Sequence, residues 1–65
     1  MLKEHTERAT RYRLKANEIR RSAELMRGDS RLTLLQLAHD YDLLADKREQ
    51  AAARLRAKNR EDNRH

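Results

Sequence analysis

Residues 24–32, Glu-Leu-Met-Arg-Gly-Asp-Ser-Arg-Leu (ELMRGDSRL), hold the only glycine of a 65-residue chain that contains no proline. On both sides run long tracts rich in Ala, Leu, Arg, Glu and Lys, the residues that lose least on entering a helix. A glycine takes the left-handed backbone conformation just past a helix end at little steric cost. Asp29 or Ser30 can then cap the next helix by accepting hydrogen bonds from its free N–H groups. Arg27 falls in the last turn of the first helix and Asp29 near the start of the second, and each sign suits the local helix dipole. Arg27-Gly28-Asp29 also spells an integrin-type adhesion tripeptide, read as a coincidence in a cysteine-free chain expected in the cytoplasm. The reading is an all-α chain: helices at about 2–27 and 30–58, folded antiparallel into a single hairpin domain, 1–58. The polar residues 59–65 are read as a frayed tail.

Working outward from the turn, each helix carries one stripe of mostly small or apolar residues stepping by three and four, the rhythm of a heptad seam. On the first helix these are Leu2, His5, Ala9, Tyr12, Ala16, Ile19, Ala23 and Met26. On the second they are Leu34, Ala38, Tyr41, Ala45, Arg48, Ala52 and Leu55. In a tight antiparallel hairpin, residues whose numbers sum to about 57 lie level. Tyr12 is then level with Ala45, Ala16 with Tyr41, Ile19 with Ala38, and Ala23 with Leu34. Large meets small four times over, which lets two helices interdigitate. The same count puts Arg8 level with Glu49, Arg11 with Asp46, and Lys15 with Asp42, three expected charge pairs that would oppose slipped alignments. His5 falls opposite Ala52.

Six of the ten leucines crowd into residues 32–45 (LTLLQLAHDYDLLA). Leu37, Leu44 and Ala51 recur every seven residues beside the seam and widen the apolar arc beyond what one facing helix covers. Leu14, Leu25, Leu32 and Leu43 lie outside the seam altogether. A coordinated second stripe reads as a partner surface. Chains this short bury little of their surface and need a staple, a metal or a partner. With no cysteine there are no disulfides, and three scattered histidines make a structural zinc site a poor fit. The economical remedy is a homodimer in which Leu37, Leu44 and Ala51 face a second copy, giving a four-helix bundle. The rival is a different protein partner that supplies the missing helix or groove.

No catalytic chemistry is written into the chain. His39, Asp42 and Asp46 share a helix face, but basic residues of the first helix oppose the two aspartates and no closed cage results. There is no glycine-rich phosphate loop, no nucleophile elbow and no Cys/His pair, so neither enzyme activity nor a cofactor is expected. No apolar run approaches the 18 or so residues of a membrane span, and the alternating charges of the first residues do not read as a signal peptide, so the expected setting is the cytoplasm.

Charge supplies the alternative function. Lys and Arg number 16 against 11 Asp and Glu, a net charge of +5. Residues 1–28 carry +4, residues 29–53 carry −2, and residues 54–65 carry +3. The hairpin brings the first and last of these segments to one end. Arg8, Arg11, Arg13, Arg20, Arg21, Arg54, Arg56 and Lys58 are the candidate contacts to nucleic-acid phosphates. Tyr12 and Tyr41, the only aromatics, lie on the seam, so base stacking is not expected and any binding would be backbone-directed.

The words YRLKANEIRRSAELM and RLTLLQLAHDYDLLADKREQ resemble a pattern in short, mostly proteobacterial helical-hairpin proteins. That pattern reads R-x-x-A-x-x-I/L-R, an acidic turn, then L-x-x-L-A-x-x-Y-x-x-L-A. Here it falls on Arg13, Ala16, Ile19 and Arg20, then Leu34, Leu37, Ala38, Tyr41, Leu44 and Ala45. The resemblance covers residues 11 to about 50 and implies bacterial origin and the hairpin, without implying an activity. In outline the chain is also similar to the plasmid copy-control RNA-binding proteins, hairpins that dimerise into four-helix bundles, a likeness of shape alone. The sequence therefore reads as a small non-enzymatic interaction or regulatory module. A nucleic-acid-binding regulator and an accessory subunit docking on a larger protein are the alternatives.

Overall fold

A computed structural model describes residues 2–62, with side chains through residue 60. Two helices, α1 (Leu2–Glu24) and α2 (Asp29–Asp62), pack against each other as an all-α antiparallel hairpin. The molecule is a rod of 58 × 14 × 12 Å with a radius of gyration of 16.0 Å. A compact domain of this length would have about 11 Å, so nearly every residue lies close to solvent.

The turn forms around Gly28, but not with the expected boundaries. α1 ends at Glu24 rather than near Arg27, because its last turn tightens: the Leu25 N–H donates to the Ser22 carbonyl at 3.1 Å and the Met26 N–H to that of Ala23 at 3.0 Å. Such i→i−3 bonds use up carbonyls that the helix end leaves without partners. Met26, expected on the seam, leaves the helical stripe and is exposed. Gly28 has φ of 64°, and its carbonyl accepts from the Leu32 N–H at 3.3 Å. Gly28 is thus itself the cap residue of α2, and Asp29, a candidate cap, is already in the first turn. Its negative charge there faces the positive helix end. At the other end α2 continues to Asp62, four residues past the boundary expected at Lys58. The last three residues of the anticipated tail, 63–65, lie outside those described.

The core is narrow and made almost wholly of alanine. Ala9, Ala16, Ile19 and Ala23 of α1 and Ala38, Ala45 and Ala52 of α2 are buried, and Ala16 and Ala45 are 0% exposed. Both alanine rows repeat every seven residues, so the small methyls let the two backbones approach closely along the whole seam. Leu34 and Tyr41 pack partly buried against Ala16, Ile19 and Ala38. The rings of Tyr12 and Tyr41 meet with centroids 6.1 Å apart and planes tilted by 36°, a separation at which aromatic rings attract. No large side chain is fully buried among the described residues.

Candidate interaction faces

The two flanks of the alanine seam differ. On one, Arg13 reaches from α1 to three carboxylates of α2: Nη1 to Asp42 Oδ1 at 3.1 Å, Nη2 to Asp46 Oδ1 at 2.7 Å, and Nη2 to Glu49 Oε1 at 3.1 Å. Arg20 donates to the other oxygen of Asp42 and is steadied by Asn17 Oδ1 at 3.1 Å. Charge-assisted bonds of this kind polarise both partners. Hydrogen bonds donated to Asp46 and Glu49 hold the Arg13 guanidinium well above its usual range, against the opposing pull of partial burial, with Asp42 adding to the hold. Arg20, then Arg13, keep the Asp42 carboxyl below the usual aspartate range although partial burial pushes the other way.

These pairs replace the three expected from level alone. Arg13 takes Asp46 and Glu49 in place of Arg11 and Arg8, and Arg13 with Arg20 take Asp42 in place of Lys15. Lys15 pairs within its own helix, with Glu18 at 3.9 Å. The reason is angular. Arg13 and Arg20 follow Ala9 and Ala16 by four residues; Asp42 and Glu49 follow Ala38 and Ala45 by four. In an antiparallel pair, equal offsets from the seam stand on the same side. Arg8 and Lys15 precede their alanines by one and therefore stand on the opposite flank. Arg13 and Arg20, counted among candidate phosphate contacts, are committed to carboxylates instead. His5 meets the long side chain of Arg48: its Nδ1 lies 3.3 Å from Nη1 of that residue, which stands one helical turn nearer Gly28 than Ala52.

On the opposite flank stand the residues that precede an alanine by one: Leu37, Leu44 and Ala51 on α2. Leu37 is 43% exposed, Leu44 is 40% exposed, and Ala51 is half-buried. Of the seam residues, Ala16, Ile19, Ala23, Ala38 and Ala45 are buried, and Tyr12, Leu34 and Tyr41 are half-buried. Leu14, Leu25, Leu32 and Leu43 are exposed on the outer surfaces, Leu25 at 86%. Leu35, which the sequence reading left unassigned, is also exposed; it precedes Asp42 by seven residues and extends the ionic flank toward the turn. Arg8, Arg11, Arg21, Arg54, Arg56 and Lys58 are exposed and have no carboxylate partner among the described residues.

The surface depressions are shallow and open; one at the turn is lined by Met26, Asp29, Ser30, Thr33 and Leu34. Among the described residues no cluster of His, Asp and Glu could hold a metal ion, and no helix is long and apolar enough to cross a membrane. On the His39, Asp42, Asp46 face, both Asp42 oxygens and Asp46 Oδ1 already accept from arginines. Comparison with protein-family models, curated proteins and solved structures finds no match for the chain.

Proposed function

We propose that this chain is a small non-enzymatic interaction module, working in the bacterial cytoplasm as a homodimer through the Leu37, Leu44 and Ala51 row. The observation that carries this reading is that row: two leucines, each about two-fifths exposed and two helical turns apart, on the flank that no ion pair among the described residues closes. Among the described residues, six of the seven that are buried are alanines. At roughly 25 cal/mol per Å² of apolar surface, such methyls contribute little against the entropy of ordering the chain. A second copy would cover the leucines and supply the missing burial. The bacterial setting rests on the resemblance of residues 11 to about 50.

Sedimentation at micromolar concentration tests the reading, with a dimer expected. Leu44→Glu should dissociate or unfold the protein, while Leu43→Glu, on the outer face, should change neither mass nor helicity. A folded monomer would overturn the dimer and turn the leucine row toward a larger protein, which is the accessory-subunit reading.

A second reading has its own observation. Six of the candidate phosphate contacts, Arg8, Arg11, Arg21, Arg54, Arg56 and Lys58, are exposed and lack carboxylate partners among the described residues, which suits phosphate contact. Under that reading a mobility shift with duplex RNA or DNA appears at low salt and fades steeply as salt rises. No shift even at low salt would remove it.

A further inference from the structure

The leucine row is bordered by a charge pattern that fits a second copy of itself in one orientation. Asp40 follows Leu37 by three residues and Lys47 follows Leu44 by three, so both line the same border of the row, seven residues apart. At 1.5 Å per residue that is about 10 Å, too far for the two to pair within one helix. Asp40 is touched by Gln36 Nε2 at 3.2 Å, and Lys47 has no carboxylate partner among the described residues.

Resting on the proposed homodimer, we infer that the two copies join α2 to α2 antiparallel, with the two-fold axis beside Leu44 and two reciprocal Asp40–Lys47 pairs setting the register. About that axis, residues whose numbers sum to about 88 lie level. Leu44 meets Leu44, and Leu37 meets Ala51 of the other copy at both ends. Large again faces small, as along the seam inside each hairpin. Asp40 comes within one residue of the level of Lys47 of the other copy, and the pair forms twice by symmetry. Both hold the same offset from the leucine row, so they stand on the same side of the new contact. This is the rule that brings Arg13 to Asp42 and Glu49 within the chain. A parallel alignment would instead put equal offsets on opposite sides of the contact, so Asp40 and Lys47 could not pair across it. Centring the contact on α1 fares no better, because its residues at the matching offset include the cations Arg8 and Lys15, which would crowd like charges together.

Two exposed charge substitutions and two cysteine substitutions in the full chain test the arrangement. Asp40→Lys alone and Lys47→Asp alone each place like charges at both symmetric sites and should weaken self-association about tenfold or more. Mixed in equal amounts, the two variants should form a heterodimer with association and helicity near those of the unmodified protein, since every site then holds opposite charges. The chain has no native cysteine, so Leu44→Cys should oxidise to a disulfide-linked dimer with its Cβ atoms about 4 Å apart at the axis, whereas Leu43→Cys should not. An unmodified chain that sediments as a folded monomer overturns the homodimer and this register together. A dimer whose variants gain nothing on mixing, and in which both cysteine variants cross-link equally, overturns the register and leaves the homodimer standing.

Discussion

The two flanks of the hairpin share one alanine seam, one length and one turn, yet they end in opposite states. On the Arg13 flank, two arginines meet three carboxylates across the helices, and the polar groups satisfy one another. On the Leu44 flank, α2 offers Leu37 and Leu44 while the matching positions of α1 are Arg8, Lys15 and Ser22, so apolar surface stays open to water. Complementarity within the chain closes the first flank. The second is left apolar on one helix and basic on the other, which the chain cannot resolve by itself. The difference teaches that the ionic flank sets how the hairpin aligns, and the leucine flank sets what the hairpin meets.

Widening the seam would blur that difference most. Ala16 is completely buried between α1 and α2, and Ala16→Leu adds three carbons where no exposed space receives them. Over-packing of this kind costs about 1–3 kcal/mol, so the urea midpoint should fall clearly while helicity at zero denaturant is retained. The substitution also pushes Arg13 away from its carboxylates, so the added salt sensitivity of the ionic flank should shrink with it. A midpoint unchanged from the unmodified chain would mean that the alanine rows are not in close contact.

A smaller effect would sharpen the contrast by reversing single charges on neighbouring positions. Arg13→Glu adds a fourth carboxylate to Asp42, Asp46 and Glu49 and should lower the denaturation midpoint, with partial recovery in high salt as the repulsion is screened. Arg11→Glu removes the same charge two residues away, on a side chain with no carboxylate partner among the described residues, and should stay within about 0.5 kcal/mol of the original stability. If Arg11→Glu proved the more damaging of the two, the pairing by flank would be wrong and pairing by level alone would regain its standing.

That distinction also marks how far the sequence could be read. The single glycine, the absence of proline and the step of three and four are enough for two helices and their antiparallel closure, because each acts locally and nothing competes with it. The alanines at 9, 16, 23, 38, 45 and 52 stand in that step, and all six are buried. Charge partners were harder to read. Level along the rod follows from adding residue numbers, but side follows from the offset to the nearest seam residue. Arg8, Arg11 and Lys15 satisfied the first condition without the second. Arg13 was open to discovery by that offset, since it stands four residues after Ala9 just as Asp42 stands four after Ala38. The tightened end of α1 was less legible: whether a helix closes with i→i−3 bonds two residues before its arginine depends on how the backbone enters the glycine turn, and no side chain announces it.

The smallest expected effect isolates one group on the ionic flank. Asp42 receives Arg20 and Arg13 on its two oxygens, and they hold its carboxyl below its ordinary value of 3.8 in the folded hairpin. A carboxyl whose folded value lies below its unfolded one binds protons more readily when the chain is unfolded. Its contribution to stability is therefore full above the ordinary aspartate range and is lost as pH falls through the folded value. Asp42→Asn removes that contribution at every pH. The gap in denaturation midpoint between the unmodified chain and Asp42→Asn should thus be constant from pH 7 to about 5 and close progressively below about pH 4. The variant's own midpoint should fall less steeply over the same acidic range. A gap that stayed constant to pH 2 would show that the Asp42 carboxylate gains nothing from Arg20 and Arg13, and the ionic flank would then owe its alignment to Asp46 and Glu49 alone.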